Sequence, residues 1–396
     1  MTLLAAPSAS LAPDGIAITR ESAGLDPFVA IRRDLHRHPE LAFKEKRTSE
    51  LVADYLASWG YEVTRGFAGT GLVGTLRRSS GVKRLGIRAD MDALPINEAT
   101  GLPHASTNEG AMHACGHDGH TAILLAAAKA VADNVDFSGA LHLIFQPAEE
   151  IGAGARRMIA DGLFERFPCD AVFGLHNWPG LAAGQLAFIE GPAMAAVDQA
   201  HIAVIGQGGH GAAPHETVDP VVAAASLITA LQSIVSRSVD PLETAVVTVG
   251  SIHGGTASNV IPDSVELKLT LRSFTPAIRS LLESRVPALA RAQAESFGAR
   301  ADVDYRRGFP PVVNHSHETS FARSVALAEF GPVAEHFRPR TASEDFAFFL
   351  EARPGAFVFI GNGDGPALHS PRYDFNDAIL APAAAFWTRL AGAFLQ

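Results

Sequence analysis

Two cysteines in 396 residues exclude a disulfide framework, and Cys115 and Cys169 stand in contexts too different to suggest a bridge. Positive charge is also short. Lys and Arg number 32 against 42 Asp and Glu, a formal net charge of −10. That balance excludes the basic footprint of a nucleic-acid or acidic-membrane binder. No apolar run approaches the roughly 20 residues that span a bilayer, so no membrane partner is expected. The opening MTLLAAPSASLAPDG has no positively charged region of the kind a secretory signal needs. It reads as a frayed tail, and the protein as cytoplasmic. Internal repeats and low-complexity tracts are missing too. What is present is a core-rich composition, 47% hydrophobic and only 19% charged. At about 150 residues per domain, a chain of this length predicts two to three domains.

The first half alternates helix-like and strand-like stretches. Helices carrying LDPFVAIRRDLHRHPEL and KRTSELVADYLASWG precede strands at Gly71–Leu76 and Arg84–Ala89. A helix from about His120, a strand at Ala140–Gln146, a helix at Gly154–Asp161 and a strand at Ala171–Leu175 follow, with Ala356–Ile360 as a late strand. Short apolar strands interleaved with helices predict an α/β domain with a mostly parallel sheet. Gln199 to Tyr305 reads differently. Strand Gln199–Ile205, helix Asp219–Ser236, strands Thr244–Ile252 and Ser264–Arg272, helix Pro276–Phe297 and strand Ala301–Tyr305 give βαββαβ, a ferredoxin-like α+β order. The expected organisation is a larger α/β domain over residues 1–190 and 307–396, interrupted by an inserted lid or dimerisation domain over 191–306. The exposed edges of such a small sheet suggest a homo-oligomer, dimer or tetramer.

Chemistry-bearing residues gather at strand ends. HACGHDGH (His113–His120) places a thiol and an imidazole two residues apart, good ligands for zinc, manganese, cobalt or nickel. A polar helix start is the competing reading. QPAEE (Gln146–Glu150) sets two carboxylates after a strand, where ligands bind in open α/β sheets. A solvated acidic turn is the alternative there. LHNWP brings His176, LHS brings His369, and RADMDALP brings Asp90 and Asp92. The Cys, His, Glu, His and His of the other four motifs suit two divalent ions about 3.5–4 Å apart that share a water.

RADMDALP, HACGHDGH, QPAEE, GLHNWP and a late LHS, in this order, resemble the metal-dependent aminoacylase/carboxypeptidase superfamily. The closer likeness is to its amidohydrolase branch of hippurate hydrolases and plant auxin–amino-acid conjugate hydrolases. GQGGHGAAPH, GGTASNVIPD, LRSF and TASEDFAFF extend it, from about Asp26 onward. The resemblance implies Cys115, His117, Glu150, His176 and His369 as ligands of two divalent metal ions, the element being manganese, zinc, nickel or cobalt. It implies Glu149 as the general base and His210 as a stabiliser of the oxyanion. Asn259 and Arg272 match positions that approach substrate. Asp90 stands where related peptidases carry a ligating His, and is left out of the ligand set. The implied activity is cleavage of an N-acyl amino acid to a carboxylic acid and a free amino acid, with a dipeptidase or N-carbamoyl amino acid hydrolase as the alternative. GQGGHGAAPH lacks the lysine and spacing of a phosphate loop. His36, His38 and His215 read as structural, and Cys169 as a buried thiol.

Overall fold

The computed structural model describes residues Pro27–Gln396, so the opening tail lies outside the described residues. In chain order the main elements are α1 (Pro27–Arg37), α2 (Lys46–Ser58), β1 (Glu62–Phe67), β2 (Gly71–Arg78), β3 (Arg84–Asp90), α3 (His117–Asn134), β4 (Gly139–Gln146), α4 (Gly154–Ala160), α5 (Leu163–Arg166), β5 (Ala171–Pro179) and β6 (Leu186–Ala187). Then come β7 (Gly191–Met194), β8 (Ala196–Ile205), β9 (Gly209–His210), α6 (Pro220–Ser233), β10 (Ala245–His253), β11 (Val260–Ile261), β12 (Ser264–Ser273), α7 (Pro276–Glu295) and β13 (Arg300–Arg307). The chain ends through β14 (Val312–Asn314), α8 (Ser316–Phe330), α9 (Ala347–Ala352), β15 (Gly355–Gly363) and α10 (Leu380–Phe394).

These form two compact units. One runs to Phe188 and includes Ser320–Glu335 and Arg353–Gln396; the other comprises Ile189–Thr319 and His336–Ala352. The second unit therefore starts at 189 and also takes in residues 307–319 and 336–352, beyond the 191–306 bounds that the sequence pattern suggests.

The first unit is built on a seven-stranded sheet in the order β1-β2-β4-β3-β5-β15-β6. Its centre, β4-β3-β5-β15, is parallel, while β1, β2 and β6 join antiparallel at the edges. β4 and β15 are buried along essentially their whole length. That is why they read as mostly apolar runs and not as alternations. α3 is buried over most of its length and packs in the core with α10 residues such as Phe386 and Trp387.

The second unit has a four-stranded antiparallel sheet, β10-β12-β8-β13. With α6 and α7 this is the βαββαβ order, and the α/β plus ferredoxin-like fold class is as expected. Here β8 and β12 alternate buried and exposed residues, so one face carries Ile202, Val204, Leu267 and Leu269 into a core with Leu227 and Leu282. Asp219 caps α6 by accepting from Val221 N–H at 2.8 Å, and Pro220 occupies its first turn. The helical run Pro220–Ser238 is, by length and composition, apolar enough to cross a membrane, which corrects the expectation that no run reaches that length. Ala223, Ala224, Leu227 and Leu231 of this run are buried in the unit's own core.

Candidate metal centre

The parallel strands of the first unit deliver their carboxyl ends to one place. β3 ends on Asp90, β4 leads into the Pro147–Glu150 turn, and β5 carries His176 inside the strand rather than after it. α3 begins at His117, three residues earlier than the sequence suggests, because Gly116 takes φ 91° and reverses the chain there. A side chain at 116 is excluded: its Cβ would lie 2.4 Å from Asn177 Nδ2 and 2.6 Å from the Tyr373 hydroxyl.

The six residues proposed for ligation and base chemistry come together. Potential donor atoms of Cys115, His117 and His176 lie within 4.8 Å of one another, as do those of Cys115, Glu150 and His369, and those of His117, Glu149 and Glu150. Cys115 Sγ is 3.4 Å from His176 Nε2, and His369 Nε2 is 3.4 Å from Glu150 Oε2. His117 Nε2 lies 3.8 Å from Glu150 Oε1 and 3.9 Å from Glu149 Oε2. All are buried or nearly so except His369, whose side chain is half exposed and whose backbone sits at φ 65°.

A surrounding frame fixes these groups. His176 Nδ1 meets the Asn177 carbonyl at 2.6 Å, which leaves Nε2 directed at Cys115. Asp92 accepts the N–H groups of Glu149 and Glu150 on its two oxygens, each at 3.0 Å, and lies 3.3 Å from His117 Nδ1. Asp90 is consumed otherwise: it receives Arg88 at 2.7 Å and His120 Nδ1 at 2.7 Å. His120 Nε2 in turn accepts the Asn177 backbone N–H at 3.1 Å, so both its nitrogens are occupied. Asn177 also donates to the Cys115 carbonyl at 2.7 Å and accepts the Tyr373 hydroxyl at 2.7 Å. His36, read as structural, and Arg32 hold Asp118 at 2.8 and 3.2 Å and so brace the first turn of α3.

Within this cluster some hydrogen-bonding capacity is left unused. Glu150 Oε1 and His117 Nε2 have no hydrogen-bond partner. Burial opposes charge on His117, but Asp90, Asp92 and Glu150 outweigh it and raise its pKa to about 10. Burial first, then His120, pushes His176 well below the ordinary imidazole value, so it stays neutral and able to donate a lone pair. A site that stabilises positive charge among thiol, imidazole and carboxylate donors fits a divalent transition metal. Cys115, His117, Glu150, His176 and His369 are the residues that would hold it.

The other predicted residues belong to the second unit. β9 pairs with β11, setting His210 opposite Val260, and Gly211 N–H donates to the Asn259 carbonyl at 2.8 Å. His210 is exposed. Arg272 lies on β12 and donates to the Ser343 hydroxyl, with burial lowering its pKa. Sequence reasoning missed His120, Asn177 and Tyr373. Only the second His of HDGH and the Asn of LHNWP carried a hint, as neighbours of ligand-type residues.

A family model described as peptidase family M20/M25/M40 matches residues 86–393. A hippurate hydrolase of Campylobacter jejuni is 44% identical over 371 residues, covering 93% of this chain and 97% of that protein. An N-acetyl-L-cysteine deacetylase of Bacillus subtilis is 41% identical over 360 residues, covering 91% and 86%. Among solved structures, a dinuclear metal-binding M20 peptidase from Bacillus subtilis matches with a TM-score of 0.82 at 34% identity, over 93% of this chain and 97% of that one.

Proposed function

Because the chain belongs to peptidase family M20/M25/M40 and is a hydrolase of amide bonds, we propose that it removes the acyl group from N-acyl amino acids with the help of two divalent metal ions. The observation that carries this reading is the gathering of Cys115, His117, Glu150, His176 and His369 around buried atoms with no hydrogen-bond partner. The names of the bacterial relatives support the substrate class, since hippurate and N-acetylcysteine are both N-acyl amino acids.

Bound divalent ions would polarise the scissile carbonyl and acidify the attacking water. Glu149 is the acid–base group. Its main chain is held by Asp92, and its carboxylate takes the water proton and passes it to the leaving nitrogen. Cys115 serves as a thiolate ligand, not a nucleophile. His210 contributes to oxyanion stabilisation, and Asn259 and Arg272 to substrate binding. Arg272 offers a planar fork suited to the amino-acid carboxylate. These three assignments rest on the motif likeness. A homo-oligomer is part of the same proposal. β10 is a free sheet edge that carries exposed Ile252 next to its end, and α6 exposes Val221 and Val222. Sedimentation at several concentrations tests it.

The deciding experiment strips metal and reconstitutes the protein with manganese, zinc, nickel or cobalt. Each form then meets N-benzoyl, N-acetyl and longer N-acyl amino acids, beside N-carbamoyl amino acids and dipeptides. Cleavage restored for one acyl class supports the reading. Preference for carbamoyl compounds or dipeptides replaces the substrate class, and failure to bind any metal overturns the proposal.

A further inference from the structure

Three consecutive backbone N–H groups in the turn after β4 end on two buried carboxylates. Glu149 and Glu150 donate to Asp92, and the preceding Ala148 donates to Glu45 Oε1 at 3.0 Å. Glu45 is itself held firmly. Its Oε2 accepts the Thr70 hydroxyl at 2.6 Å, its Oε1 also takes the Phe43 N–H at 3.0 Å, and it has no exposed surface. Ala148 sits at φ 54°, in the left-handed region that an L side chain enters only at a cost. Glycine would meet no such cost, yet the position is alanine and fully buried. Strain of this kind persists only where surrounding contacts over-determine it. The Ala148 carbonyl is held as well, by N–H groups of Ala153 at 3.2 Å and Gly154 at 3.1 Å.

We propose that Glu45 is a positioning residue: its carboxylate holds the Ala148 peptide left-handed and thereby aims the Glu149 and Glu150 carboxylates. The inference rests on the metal-hydrolase reading above. A turn released at Ala148 would rotate both acids away from the other donors without altering any ligand. Hydrogen bonds to the groups around a ligating carboxylate set its geometry and the affinity for metal.

The test uses the full chain and cobalt(II), titrated in competition with a chromogenic chelator and read also by the thiolate-to-cobalt absorption of Cys115. Glu45→Ala should weaken cobalt binding roughly 10- to 100-fold and lower kcat with little change in KM. Glu45→Gln keeps an oxygen acceptor and should stay within about threefold of the parent. The informative variant is Ala148→Gly. Alone it should change affinity by less than about threefold, and combined with Glu45→Ala it should restore most of the loss, because glycine reaches positive φ freely. In metal-free protein, Ala148→Gly should raise the melting temperature of the Glu45→Ala variant more than that of the parent. If Glu45→Ala does not fold, Thr70→Val with and without Ala148→Gly makes the same comparison. Parental affinity in Glu45→Ala, or a loss that glycine leaves unrestored, overturns the proposal. A parent that binds no cobalt overturns the metal reading instead, and the metal-free melting comparison then still decides the role of Glu45.

Discussion

Asp198 in the second unit and the carboxylates near His117 in the first are buried or nearly so, yet they differ in what is left over. Asp198 receives Arg279 on both oxygens, at 2.6 to 3.1 Å, the Tyr305 hydroxyl at 2.9 Å and the Gly308 N–H at 3.1 Å. Burial first, and then Asp198, push the Tyr305 hydroxyl above its usual pKa, so it remains a donor. Both oxygens are engaged, and the group braces β8 against α7 and β13. In the first unit Glu150 Oε1 and His117 Nε2 stay without hydrogen-bond partners. Buried charge alone therefore does not mark a site. Unused donor and acceptor capacity does, when the surrounding charges favour a cation.

That contrast can be attacked from both sides. The largest effect expected is at Glu149. Replacing it with Gln should cut kcat by about 10³-fold or more while metal content, measured by atomic absorption, stays at parental level. Surviving turnover would remove Glu149 from the acid–base role. Next in size is Asp198→Ala, which leaves the Arg279 guanidinium buried without its partner. It should cost about 3–5 kcal/mol in urea unfolding, with metal affinity unchanged. A shift in metal affinity there would erase the distinction between brace and site.

Chelation comes third. Removing metal held at about 100 times its Kd should cost about 2.7 kcal/mol. Amide exchange should quicken in the 147–150 turn and the first turn of α3, and stay unchanged in β8 and β13. The smallest effect concerns His142, which also has an unpartnered buried nitrogen, Nε2. Here burial, helped by Arg77 and Arg84, lowers the pKa to about 4, whereas carboxylates raise that of His117. The folded chain refuses a proton that the unfolded chain accepts near pH 6.5. Stability from this residue is therefore intact above pH 6.5 and is lost as pH falls toward 4. His142→Gln should flatten the pH dependence of unfolding in that window by up to about 1.4 kcal/mol per pH unit.

Much of this architecture is readable from the sequence because the pattern is local. The six elements of the βαββαβ unit fall within a few residues of their expected bounds, since β8 and β12 alternate and α6 and α7 open on Asp219-Pro220 and Thr275-Pro276. β1 escapes because EVTRGF is an edge strand with mostly exposed, polar residues. The gathering of Cys115, His117, Glu149, Glu150, His176 and His369 is legible because ligand-type residues cluster beside strand ends. Glu45 is not. In FKEK it looks like one more solvated acid, and its partner Ala148 is 103 residues away. Asn177 and Tyr373 act across 196 residues. Contacts of that range leave no periodicity to read.

β15 lies between β5 and β6, although it is made after more than 160 further residues have followed β6. During synthesis the sheet must therefore wait with an open slot where one of its central strands belongs. β5 presents an unpaired apolar edge until Gly355–Gly363 has left the ribosome, and His369 arrives six residues later. A nascent chain halted before that point holds most of the donors and no finished site. The full donor set is thus assembled only after β15 has been made, and a product that stops short of it exposes an adhesive strand edge in its place.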